Sequence, residues 1–145
     1  MLSMGEVRCA LPAQEVARVV PRASLHPVTG MPDYVVGRLS LHGLAVPVLD
    51  LCQLVLGRPC SPVYSTRIVL VHYPYDGHNV LLGLLAERVT EASRRDPAEF
   101  QPSVLRQGGF LGDVATEQGH LINALRVADL LSPELRDELF APLGS

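Results

Sequence analysis

The chain contains no lysine and no tryptophan, and all 12 of its basic residues are arginine. Without lysine there is no Schiff-base amine, no phosphate-loop lysine and no catalytic ammonium, chemistries for which a guanidinium is no substitute. Aromatic residues make up 5% of the sequence against 48% hydrophobic residues, so the core has to be built from Leu, Val and Ala, which suits small β-barrels. Cysteine is scarce too. Cys9, Cys52 and Cys60 are an odd number, form no C-x-x-C pair and lie in or beside apolar runs, which reads as buried free thiols in a reducing compartment. The net charge is −3 and the arginines are dispersed, so no basic footprint for nucleic acid exists. No apolar run approaches membrane length, and the opening residues lack a charged segment followed by an apolar one. A cytoplasmic protein without membrane insertion is expected.

Signatures of catalysis are missing as well. His26, His42, His72, His78 and His120 are scattered without H-x-x-x-H or H-E-x-x-H spacing, so no metal site is expected from them. There is no G-x-S-x-G elbow, phosphate-binding loop or dinucleotide fingerprint; Gly108, Gly109 and Gly112 read as loop and turn glycines. Neither an enzyme nor a cofactor is expected.

What is present is a β pattern. A length of 145 residues predicts one domain, residues 1–145, with enough buried surface for a core. Val35, Gly37, Leu39 and Leu41 alternate with Val36, Arg38, Ser40 and His42, the period of a strand with one face toward a core. Gly43 permits a turn, and Ala45 to Leu49 returns as a second strand. Pro47 has no N–H for a ladder, which predicts an edge, a bulge or an outward-facing position. Asp50 is positioned to cap a short helix over Leu51 to Leu56, and Gly57 to stop it. Any hairpin followed by a capped helix has this outline; the string Gly37, Leu41, Gly43, Pro47, Asp50, Leu51 is more particular.

Elsewhere, Glu6 to Leu11 predicts a strand with Val7, Cys9 and Leu11 on one face. After Pro12, the spacing of Val16, Val19 and Val20 predicts a helical turn. Residues 22–33 hold Pro27, Gly30 and Pro32 and predict an irregular connection. Thr66 to Tyr73 and Val80 to Ala86 predict a hairpin turning at Tyr75-Asp76-Gly77-His78. Residues 94–109 predict a charged loop, and Phe110 to Ala115 with His120 to Leu125 a third hairpin. Ser132, Pro133 and Glu134 predict the capped start of a terminal helix reaching Phe140.

The segment Gly37 to Leu51 resembles the core motif of CheW-like coupling proteins, in which a strand ends in a Leu-Arg-Gly turn and the next leads into Pro-Val-x-Asp-Leu. The likeness runs back through Tyr34, Pro32, Val19, Arg18 and Val16. It runs forward through Arg67 to Val71, Gly83 to Val89 and Phe110 to Leu131. The resemblance implies a mainly β fold of two small SH3-like five-stranded barrels packed together, with short helices at connections and at the C-terminus. It also implies a non-catalytic adaptor, peripheral to receptor arrays, whose partners are a methyl-accepting chemoreceptor and a CheA-type histidine kinase. On that likeness Val16, Arg18, Arg38, Ser40, His42 and Gly43 are the partner-binding candidates, and Gly37, Pro47 and Asp50 the structural motif. Two positions depart from the family pattern: His42 stands where the turn Arg is usual, and Arg18 where an acidic residue is usual. That pair of changes implies a specialised coupler. A CheV-like or kinase-regulatory relative, or a small-ligand barrel, are the other readings; no receiver domain or kinase nucleotide motif fits within this length.

Overall fold

Two dipeptides at hairpin tips set the registers of the longest strands. His42 and Gly43 take φ values of 49° and 82°, and Asp76 and Gly77 take 51° and 77°. Paired positive φ values match the right-handed twist of two-residue hairpins, where His, Asp and Gly bear the left-handed conformation at low cost. The computed structural model describes residues 1–60, 66–90, 111–117 and 120–140. In chain order its strands are β1 (Leu2–Met4), β2 (Val7–Ala10), β3 (Val16–Pro21), β4 (Val35–Leu41) and β5 (Leu44–Asp50), then β6 (Arg67–Tyr75), β7 (His78–Ala86), β8 (Arg88–Val89), β9 (Leu111–Glu117) and β10 (His120–Leu125). Helix α1 (Leu51–Leu56) follows β5, and α2 (Pro133–Phe140) closes the described chain.

The strands form two five-stranded sheets, ordered β8-β1-β2-β10-β9 and β3-β6-β7-β5-β4. Each is built the same way. Two antiparallel hairpins lie side by side, joined by a short parallel ladder (β2 with β10, β5 with β7), and an antiparallel fifth strand flanks one hairpin. The flanking strands, β8 and β3, are the ones next to the chain's crossings between sheets. The expected barrels are therefore realised as open sheets: no ladder among the described residues joins β3 to β4 or β8 to β9.

One apolar cluster lies between the sheets. Leu2, Met4 and Cys9 from the first sheet meet Val48, Leu49, Ile68, Leu70, Leu82 and Leu84 from the second. Helix α2 adds Leu135 and Leu139, and its Phe140 ring stacks on Tyr73 at 5.5 Å. Full burial of each such aliphatic side chain contributes roughly 1.5–3 kcal/mol. The Ser132 hydroxyl accepts the Leu135 N–H at 3.2 Å, the cap expected of it.

The hairpins over Val35 to Asp50, Arg67 to Ala86 and Leu111 to Leu125 fold as the patterns predict, as do both helices. The helical turn over Val16 to Val20 does not. That stretch is strand β3, paired with β6, and the short 3-10 turn lies earlier, at Ala13–Glu15. The β3–β6 register slips between Val16 and Arg18, which breaks the period-two alternation and leaves valines at a spacing that mimics a helix face. The predicted charged loop over residues 94–109 lies outside the described residues.

Candidate partner-binding surfaces and the buried motif

The tip of the β4–β5 hairpin is the most prominent of the sequence-derived candidates. Arg38 is half-buried, Ser40 and His42 are exposed, and Gly43 shares the turn with His42. His42 thus belongs to the turn itself and not to the strand face. Arg38 exchanges two backbone bonds with His26, at 2.8 and 2.9 Å, so the connection from β3 lies along the outer edge of β4 there and covers part of an otherwise open strand. Gly37 makes that cover possible. A Cβ at Gly37 would stand 2.7 Å from the His26 carbonyl oxygen and 2.9 Å from the Leu25 Cβ, closer than packed atoms approach.

Val16 and Arg18 lie on β3, at the opposite edge of the same sheet from β4. The partner-binding candidates therefore form two groups, one at each edge. Arg18 is exposed. Val16, also a partner-binding candidate, is half-buried against the core, opposite Val71. Two exposed apolar side chains adjoin these candidates: Val19, 45% accessible, beside Arg18, and Leu44, 59% accessible, immediately after Gly43. Sequence reading missed Leu44 because β5 is apolar nearly throughout. Its signal was the turn: Leu44 pairs with Leu41 at the hairpin tip, ahead of the residues that enter the core.

Pro47 stands in β5 opposite Arg38, one residue before the parallel ladder to β7 begins at Val48. A residue without an N–H is tolerated at the end of a ladder. Asp50 then caps α1. Its Oδ1 accepts the N–H groups of Cys52 at 2.9 Å and Gln53 at 3.2 Å, while its Oδ2 accepts the Cys60 N–H at 2.9 Å. Gly57 closes the helix with φ 74°. Asp50 is 2% accessible, and its bonds to the Cys52 and Cys60 N–H groups are buried while that to Gln53 is partly so.

All three cysteines are buried and free. Burial pushes the Cys9 thiol up to about 12. Cys60 is also pushed up, by its hydrogen bond to the Cys52 sulfur, by burial and by the Asp50 carboxylate. A cavity of about 530 Å³, lined in part by Arg22, Ser24, Leu25, Asp50 and Cys60, opens above this motif.

Where the chain returns to the first sheet, Glu87 holds several elements together. Its carboxylate pairs with the Arg58 guanidinium at 2.9 Å and accepts the Gly5 N–H at 2.8 Å, and its own N–H donates to the Ser3 carbonyl. Among the described residues no helix is long and apolar enough to cross a membrane.

A hairpin carrying Gly37, Gly43 and Pro47, delivered into an Asp-capped helix within two equivalent sheets, is the arrangement that the motif implied. The family model for the CheW-like domain matches residues 1–134. The chain belongs to the CheW-like family. Its fold is similar to that of the scaffolding protein TtCheW from Thermoanaerobacter tengcongensis, with a TM-score of 0.79 and 22% identity, over 90% of this chain and 84% of that one. No curated protein matches the chain. Within the CheW-like fold the motif residues have distinct tasks: Gly37 admits the covering connection, Gly43 turns the hairpin, and Asp50 ties α1 to the segment after it.

Proposed function

We propose that this chain couples a methyl-accepting chemoreceptor to a CheA-type histidine kinase, acting as a non-catalytic adaptor in the cytoplasm at the periphery of receptor arrays. Membership of the CheW-like family over residues 1–134 carries this reading and makes the protein a chemotaxis coupling adaptor. The partners bind at the two edges of the second sheet. One contact surface is the hairpin tip, with Arg38, Ser40, His42, Gly43 and the exposed Leu44; the other is β3, with Arg18 and the exposed Val19 beside the half-buried Val16. Two surfaces separated by the width of a sheet suit an adaptor, because each can be occupied without displacing the other.

The adaptor is specialised. A partner that presents a cation to an acidic residue on β3 meets Arg18 instead, and like charges in contact cost several kcal/mol. At the turn, imidazole offers one or two hydrogen bonds where guanidinium offers a fork. A competition assay tests both claims, with this chain and a typical CheW each offered the standard kinase and receptor and those encoded beside this gene. Preference for the dedicated partners is expected, and equal affinity for both sets would refute the specialisation. His42→Glu should weaken receptor binding with the thermal transition nearly unchanged, since His42 lies in an exposed turn. Unaltered binding would remove the hairpin tip from the interface.

A further inference from the structure

The cluster of Asp50, Cys52 and Cys60 has a chemistry that the adaptor role does not use. Their candidate donor atoms, one carboxylate oxygen and two sulfurs, all lie within 4.8 Å of one another, and all three residues are buried. Two local features bring them together. Asp50 grips the backbone N–H groups of both Cys52 and Cys60, and Gly57, in the left-handed conformation, turns the chain back so that Cys60 returns to the start of α1. The two sulfurs stand 2.6 Å apart, and the Cys60 sulfur is 3.4 Å from the Leu85 carbonyl oxygen.

We propose that Asp50, Cys52 and Cys60 form a binding site for a thiophilic divalent cation of the zinc(II) class. Two thiolates and a carboxylate are the donor set such an ion takes, with sulfur at about 2.3 Å and oxygen at about 2.0–2.2 Å. The carboxylate is already oriented by backbone N–H groups, the outer support that ligating carboxylates have in built sites. It accepts three hydrogen bonds, and a carboxylate has about four acceptor positions, so one remains for the ion. The cavity bordered by Asp50 and Cys60 supplies an entry path and room for a solvent molecule as fourth ligand. Binding is balanced by proton release: the ion displaces one proton from each thiol to solvent and leaves a complex of net charge −1.

Two sulfurs on one tetrahedral ion stand about 3.8 Å apart, so one of them has to swing away from the 2.6 Å contact. Cys60, which borders the cavity, is the one with space to do so. A disulfide would require a shorter movement in the opposite sense, to about 2.05 Å. The third donor and the cavity favour the cation, because a disulfide has use for neither.

The test is a titration of the reduced, metal-free full chain with cobalt(II) and then zinc(II). A thiolate-to-cobalt charge-transfer band should appear and saturate at one ion per chain, zinc should bleach it, and about two protons should be released per zinc ion. Cys52→Ser and Cys60→Ser should each abolish the band while circular dichroism reports an intact fold, and Cys9→Ser should leave it in place. Should either serine variant unfold, the wild-type proton release and band decide alone. A folded wild-type chain with no band and no proton release overturns the proposal. So does a band that survives Cys60→Ser, or a Cys52–Cys60 disulfide forming in air on a chain whose reduced form takes up no cobalt. Receptor and kinase binding do not enter these readouts, so their failure or success leaves the cation site to be judged separately.

Discussion

The two sheets share one hydrogen-bonding plan and differ in where their strands come from. In the second sheet β4–β5 and β6–β7 are hairpins with two-residue turns, and β6 and β7 run for nine residues each in unbroken register from Tyr75–His78 to Arg67–Ala86. The first sheet joins the two ends of the described chain: β2, four residues long, takes its parallel partner β10 from beyond residue 119. Each sheet has one parallel ladder of three residue pairs, but that ladder joins Arg8 to Ile122 in the first sheet and Val48 to Gly83 in the second, so the first orders far more chain for the same number of pairs. The same plan thus yields a locally specified sheet and one that depends on it. The shared cluster, with Leu2, Met4 and Cys9 packed on Leu82 and Leu84, makes the dependence physical.

Deleting a side chain on each side of that divide tests it. Leu84, fully buried in the shared cluster, should cost about 2–5 kcal/mol as Leu84→Ala and lower both sheets together in one transition. Ile122 is 1% accessible but lies outside that cluster, between Arg8 and Ala115 in the first sheet. Ile122→Ala should cost less and raise amide exchange in β2, β9 and β10 while β6 and β7 stay protected. Equal loss of protection in both sheets for the Ile122 variant would dissolve the distinction.

Gly37→Ala probes the second sheet where its sequence is least replaceable. The added methyl meets a backbone carbonyl that cannot rotate away, so the connection through His26 has to lift from β4, at about 1–3 kcal/mol. Exchange at the His26 and Arg38 amides should rise first, and a melting temperature equal to the parent's would show that the connection is not held there.

Legibility in the sequence followed the same divide. The β4–β5 hairpin, the Asp50 cap and the Gly57 stop were readable because each rests on contacts within a few residues, and the β6–β7 turn because Asp76-Gly77 has few other uses. Strand β3 was misread as helical because its partner, β6, lies some fifty residues away and its bulge hides the alternation. The division of the partner-binding candidates between two edges could not be read either, since strand order is a property of long-range pairing. Nor could the meeting of Cys52 with Cys60, whose spacing matches no short metal motif; Asp50's third hydrogen bond, to the Cys60 N–H, brings them together.

Glu87 and Glu15 mark the two crossings between sheets, and they are handled oppositely. Glu87, on the way back, has Arg58 and the Gly5 N–H. Glu87→Ala should leave the Gly5 N–H without its acceptor, increase exchange in β1 and β2 and lower the melting temperature modestly. The strands β6 and β7 should keep their protection; loss there would mean that the junction supports both sheets equally.

Glu15, on the way out, gives the smallest effect and the one with a pH signature. Among the described residues its buried Oε2 has no hydrogen-bond partner, and desolvation raises its carboxyl above the ordinary range. For a group whose folded-state value is raised, the stabilising contribution is fully present below the unfolded value and is lost as pH rises through the folded one. At neutral pH the ionised carboxylate is therefore a small liability, and below about pH 4, where an ordinary glutamate is itself mostly protonated, it is none. Glu15→Gln should stabilise the protein at pH 7 by on the order of a few tenths of a kcal/mol after solvent screening. The gain should vanish toward pH 4 as the wild-type carboxyl takes up its proton. Melting curves of both proteins across that range measure the difference directly. A gain independent of pH would assign it to the amide's own hydrogen bonding, and a loss at pH 7 would mean that the Glu15 carboxylate has a partner in solution that outweighs its desolvation.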